Sequence, residues 1–170
     1  MARNEETAVV VGATGAMGEA ICRRLAAEGL QVVAVARSAD ALRSLVDTTP
    51  GVRACAADIG DDGAIGAIQA ALAGPVRMVV HGPGVATAGG VLTAPTAAVV
   101  DAVNIKVGGM LRLVRAVDAQ LVHGARLVGI GGHYGFEPSA YAATAGVCNA
   151  ALANLIRQLS WAYGPRGITA

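Results

Sequence analysis

Residues 7–29 read TAVVVGATGAMGEAICRRLAAEG, and this stretch decides the fold. A β-branched run at residues 9–11 enters a loop carrying Gly12, Gly15 and Gly18. A helical pattern follows, in which Met17, Ile21 and Leu25 recur every four residues. Strand, tight glycine turn and helix, in that order, are what a dinucleotide pyrophosphate needs. Gly12 permits the sharp turn, Gly15 lets the backbone approach the phosphates, and Gly18 lets the helix sit close on the strand. The helix start adds free N–H groups and the positive end of its dipole. Gly12, Thr14, Gly15, Ala16, Met17 and Gly18 are therefore the candidate cofactor contacts. The spacing is G-x-x-G-x-x-G rather than G-x-G-x-x-G, and the plain alternative is an ordinary strand-to-helix turn. The preceding strand and following helix favour the binding reading.

A chain of 170 residues fits one domain with one hydrophobic core, read here as residues 1–170. With 54% hydrophobic and 15% charged residues, it is not a disordered chain. A net charge of +1 without a basic cluster argues against nucleic acid or an anionic membrane as main partner. Cys22, Cys55 and Cys148 are odd in number and never form a C-x-x-C pair. They read as buried free thiols of a reducing, cytoplasmic compartment. Neither they nor the histidines show metal-ligand spacing. The opening MARNEET has no apolar signal core. Residues 78–100 lack charge, but their glycines and prolines exclude one continuous membrane helix.

Outward from the glycine loop, strands and helices alternate. Strands are expected at residues 8–11, 31–36, 53–57, 77–81 and 125–130. Helices are expected at 16–28, 39–47 (capped by Ser38), 63–72, 96–121 and 141–163. Ser139 reads as a cap of the last helix, and His123 as a contact to the C-terminal dipole of the one before it. Such alternation implies an α/β fold: a Rossmann-like doubly wound parallel sheet in three layers, αβα. Its ligand sits at the carboxyl ends of the strands.

Several segments together resemble the short-chain dehydrogenases/reductases, over almost the whole chain and in the family's order. GATGAMG is similar to the family's glycine loop. ADIGD is similar to the segment whose aspartate, here Asp58, contacts adenine. HGPG, with Gly82, stands where the family has N-N-A-G. Asn104, in DAVNIKVGG, resembles the helix asparagine of the catalytic tetrad. The segment from SAYAATAG to the C-terminus resembles the active-site helix and its following turn. The resemblance implies an NAD(P)-dependent oxidoreductase acting on a small molecule and forming a homodimer or homotetramer. At the end of the second strand, NAD sites usually carry an acidic residue; this chain has Ala36-Arg37-Ser38. Arg37 suits a ribose 2′-phosphate, so NADP(H) is favoured over NAD(H).

The pattern then breaks. The family's lysine follows its tyrosine by four on one helix face, but here Tyr141 is followed at that spacing by Ala145. The serine position falls on Gly132. Lys106, the chain's single lysine, lies two residues after Asn104 and does not share its face. A tyrosine without a lysine has a pKa of about 10 and is a poor base at neutral pH. It remains a competent acid toward a developing alkoxide, so reduction of a carbonyl is favoured over alcohol oxidation. Tyr141, Asn104 and His133 are the candidate catalytic residues, with a solvated loop histidine as the plain alternative for His133. The resemblance also implies further strands after residue 170. Without them the fifth strand is an open edge, which a longer chain, a second chain or a shortened fold with another role would explain. The leading expectation is an NADP(H)-binding reductase with a non-standard site. The alternatives are a redox-inactive nucleotide-binding or regulatory homologue, and a non-redox isomerase or dehydratase.

Overall fold

The computed structural model describes residues 6–170; the MARNEET leader reading therefore falls mostly outside the described residues. Five strands, β1 (Thr7–Val11), β2 (Gln31–Ala36), β3 (Val52–Ala56), β4 (Val76–His81) and β5 (Leu121–Gly129), form a parallel sheet in the order β3-β2-β1-β4-β5. The strand order reverses beside β1, where the chain moves from β2 and β3 on one side to β4 on the other. The central strand β1 and its neighbour β2 are buried along most of their length, which is why their sequences read as continuous apolar runs.

The helices are α1 (Ala16–Ala27), α2 (Ala39–Thr48), α3 (Gly63–Ala71), α4 (Thr96–Val103), α5 (Gly109–Val117) and α6 (Ala143–Tyr163). Strand alternation divides the core into two layers. Ala8 and Val10 of β1 pack with Cys22 of α1 and Leu42 and Leu45 of α2. Val9 and Val11 pack with Ile68 of α3, Met110 and Leu113 of α5 and Leu152 of α6. The expected three-layer α/β architecture is present. Ser38 caps α2 as expected, its Oγ accepting from Ala41 N–H at 3.2 Å.

Four local expectations are corrected. The helix expected over 96–121 is broken by a π turn at Asn104–Gly108 and ends in a 3₁₀ turn at Asp118–Gln120. β5 consequently begins at Leu121, and His123 lies within that strand rather than behind a helix end. α6 begins at Ala143, two residues after Tyr141, and its cap residue is Ala142, not Ser139. The backbone of Ala142 is non-helical (φ −124°, ψ 36°), and Ala143 donates its N–H to the Gly89 carbonyl at 3.1 Å instead of entering an earlier turn. Finally, β5 is not a wholly open edge. Thr169 pairs with it in parallel, donating to the Ala125 carbonyl and accepting from Leu127 N–H.

All three cysteines are free and buried. Among the described residues no helix is long and apolar enough to cross a membrane, and no cluster of potential metal ligands occurs.

Candidate nucleotide cleft and active site

A cleft of about 400 Å³ opens at the carboxyl ends of β1–β4, where the strand order reverses. In open α/β sheets this is the place ligands occupy. Its walls include Gly12, Thr14, Gly15, Ala16, Met17, Gly18, Arg37, Asp58 and Gly82, so the structure brings together every cofactor contact expected from sequence.

The glycines have distinct structural reasons. Gly12 adopts φ +82°, a region unfavourable for other residues, and a Cβ there would lie 2.7 Å from the Gly82 carbonyl oxygen. A Cβ on Gly18 would overlap the Gly12 carbonyl oxygen and lie 2.8 Å from the Ala13 Cα. Gly15 is different: it is exposed, and its Cβ position meets only the Gly12 oxygen, at 3.5 Å. It caps α1 without a side chain, which leaves the first-turn N–H groups open toward the cleft. Met17, expected to repeat with Ile21 and Leu25 on one packing face, is 62% exposed and lines the cleft instead. The face of α1 that fully packs on the sheet is Gly18 and Cys22.

The cleft's residues fit a dinucleotide. The bare helix start suits a pyrophosphate. Arg37 is exposed and makes no hydrogen bond or ion pair with the described residues, so its planar donor fork is available to a 2′-phosphate. Asp58, just after the neighbouring β3, is exposed, with Oδ1 accepting from Gly60 N–H at 2.9 Å.

Next to the cleft-lining Gly82, His81 is completely buried. Its Nε2 lies 3.1 Å from the Ile105 carbonyl, and its Nδ1 has no partner. Burial pushes the imidazole down to about 4, and the nearby Lys106 ammonium acts in the same direction. Lys106 is buried too, its Nζ donating to the Ile130 carbonyl at 2.9 Å. Desolvation lowers its pKa, partly offset by the Cys148 thiol facing it from α6. Ile130 rests against Gly82, 2.9 Å from the position a Cβ would take, so the ammonium sits just behind the cleft wall.

The structure gathers His133 and Tyr141 around Tyr134 and turns Asn104 toward a different loop. Asn104 faces the β3–α3 loop, where its Nδ2 donates to the Gly60 carbonyl at 2.9 Å and its Oδ1 accepts from Arg112 at 3.0 Å. Lys106, two residues on, faces β5 and α6, as the sequence spacing requires. Tyr141 stands before α6, so it shares no helix face with Ala145, which is buried. Its hydroxyl meets that of Tyr134 at 2.6 Å, and the two rings pack edge to face. That hydrogen bond raises the Tyr134 pKa above the ordinary phenol range. His133 is exposed and lies against Tyr134, ring centroids 4.0 Å apart. At Gly132, a Cβ would lie 2.9 Å from Asn149 Nδ2, so no side chain fits there unless Asn149 moves.

Sequence reading passes over Arg112 and sets Lys106 aside. Two signals mark them: Lys106 is the only lysine in the chain, and Gly108-Gly109 interrupts a helical stretch.

The short chain dehydrogenase family model matches residues 6–170. A polyketide synthase of Streptomyces halstedii is 36% identical over 122 residues, which cover 66% of this chain but 2% of the synthase. An uncharacterised oxidoreductase of Mycobacterium tuberculosis is 48% identical over 61 residues, covering 36% of this chain and 24% of that protein. The chain thus spans a quarter or less of the length of these relatives. A blue fluorescent protein from a metagenomic library, solved in complex with NADPH, superposes with a TM-score of 0.90 at 28% identity. The match covers 100% of this chain and 73% of that one.

Proposed function

The chain belongs to the short-chain dehydrogenase family, and from that membership we propose that it binds NADP(H) in the β1–β4 cleft and reduces a small carbonyl compound. The observation that carries this reading is the cleft itself: a helix start without a side-chain cap, an exposed Gly15 whose Cβ position meets only the Gly12 oxygen, and, just after β2, Arg37 without a partner among the described residues. The NADPH-bound relative supports the choice of nucleotide. The reading treats residues 1–170 as one dinucleotide-binding domain.

Gly12, Thr14, Gly15, Ala16, Met17, Gly18 and Gly82 would hold the pyrophosphate and the neighbouring sugars, Arg37 the 2′-phosphate and Asp58 the adenine. The bound nucleotide supplies a hydride. Tyr141 is the proton donor. Its hydroxyl is hydrogen-bonded to that of Tyr134, a bond that holds the Tyr134 proton more tightly than in an ordinary phenol. Lys106 supplies positive charge at the end of β5 in place of the missing lysine at position 145. In that low-dielectric surrounding a single cation weighs more than it does in water. Asn104 shapes the adenine side of the site rather than touching substrate. His133 orients Tyr134 through ring packing. The exposed Val100, Val147 and Trp161 on α4 and α6 support self-association through these helices.

A second reading, a nucleotide-binding protein without turnover, is favoured by Tyr141 standing off the α6 face and by Ala145 in the lysine's place. One experiment separates the two. NADPH oxidation is followed against a panel of ketones and enones, beside NADPH and NADH titrations. Carbonyl reduction that falls at least about 100-fold in Tyr141→Phe, with NADPH affinity unchanged, establishes the reductase. Tight NADPH binding with no turnover establishes the second reading. Arg37→Ala weakens NADPH about tenfold and leaves NADH alone, the size expected for one charge-assisted contact.

A further inference from the structure

The α4–α5 helix carries a polar cluster with no part in the proton chemistry above. Arg112 of α5 donates from Nε to Asp62 Oδ1 at 2.7 Å. Its Nη1 donates to the Ile59 carbonyl at 3.2 Å and to Asn104 Oδ1 at 3.0 Å. Asn104 passes the connection on through its amide to the Gly60 carbonyl, and Gly60 N–H holds Asp58. The β3–α3 loop is thus tied to one guanidinium at residues 59 and 62 and, through Asn104, at residues 58 and 60. Asp58 and Ile59 belong to the cleft wall.

Two further observations show that the chain is built around this cluster. The Arg112 side chain is only 15% exposed, although its carboxylate partner is 84% exposed, so the guanidinium is committed inward to backbone carbonyls. Gly108 leaves the space: a Cβ there would lie 2.8 Å from Arg112 Nη1 and 3.0 Å from Asn104 Oδ1. The two residues are eight apart, about 12 Å along a regular helix, and the long arginine stem reaches back across that distance. A rigid, multiply bonded guanidinium does what a lysine cannot, because its donors are fixed in one plane.

We propose that Arg112, acting through Asn104, is a positioning residue that fixes the adenine-side wall of the cleft before the nucleotide arrives. The inference rests on the nucleotide reading above and deepens it. A wall already ordered is not ordered at the expense of binding energy. The clamp therefore tightens the adenine half of the nucleotide and does nothing for the nicotinamide half.

Calorimetric titration of the full chain with NADPH and with adenosine 2′,5′-bisphosphate tests this. Arg112→Met keeps the apolar stem. It is expected to weaken both ligands by the same factor, about tenfold, because both carry the adenine half. Asp62→Asn, which loosens only the exposed end, is expected to weaken both about threefold, and it carries the test if Arg112→Met does not fold. Arg166→Met removes a comparable set of bonds, to Asp118, outside the cleft walls. It is expected to lower the melting temperature without changing either affinity. The clamp is overturned if Arg112→Met binds both ligands like the parent, if NADPH alone weakens, or if Arg166→Met weakens them equally. A folded parent chain that binds neither ligand overturns the nucleotide reading itself.

Discussion

His81 ends β4 with no exposed surface, one ring nitrogen against a carbonyl and the other without a partner. The pocket admits only the neutral ring, because an imidazolium would lose its water and face the Lys106 ammonium. The unfolded chain takes up a proton near 6.5 that the folded chain refuses until about 4. Stability from this group is therefore complete above pH 6.5 and is lost as the pH falls toward 4, by about 3 kcal/mol in all. Urea unfolding from pH 7 to 4 should show that loss in the parent chain and a flatter profile in His81→Gln. Equal profiles would mean that another group governs the acid side. Nothing in HGPG announces this, since a histidine's burial depends on what packs over it. The glycine loop is legible for the opposite reason. A positive φ at Gly12 and a backbone contact at Gly18 are demands that only one residue type meets, so they leave a mark in the sequence.

At the scale of elements, the strands and helices before residue 100 read within a residue or two, because each is short and bounded by turn residues or a cap. The π turn at Asn104–Gly108 is not legible. Gly108-Gly109 marks an interruption but not its kind, and within the widened turn the Ile105 carbonyl meets His81 and Lys106 reaches Ile130 just past β5. The same turn aims Asn104 and Lys106 at different walls, which is why the candidate site divides as it does. Lys106→Met tests the cost of this arrangement. The folded chain gives up the lysine proton more readily than the unfolded one, so parental stability climbs as pH rises from the folded pKa toward 10.5. The variant should lack that climb. At pH 7 it should lie within about 1 kcal/mol of the parent, because relief from burying a charge offsets the loss of the Ile130 hydrogen bond. Denaturant melts at pH 7 and 10, compared as differences between the two proteins, decide it. A variant much weaker at both values would make Lys106 a simple strut.

Across the whole molecule, the cleft gathers residues from β1, β2, α1, the segments that follow β3 and β4, and the π turn, so a ligand there ties together both halves of the sheet. Any ligand that binds only the folded chain stabilises it by mass action, by about 2.7 kcal/mol at one hundred times its dissociation constant. For a chain of this size that corresponds to a rise in melting temperature of roughly 5–10 °C. NADPH should produce it, and NADH at equal concentration should produce less, since only the first uses Arg37. Gly18→Ala supplies the control. Its methyl group would collide with the Gly12 carbonyl, forcing α1 away from β1 at a cost of about 1–3 kcal/mol and spoiling the phosphate turn. Its melting temperature should therefore start lower and stay where it is when NADPH is added. A parent chain that is folded and yet unmoved by either nucleotide would mean that the cleft has kept the family's shape without its ligand. A Gly18→Ala variant that still responds would place the nucleotide somewhere other than the first turn of α1.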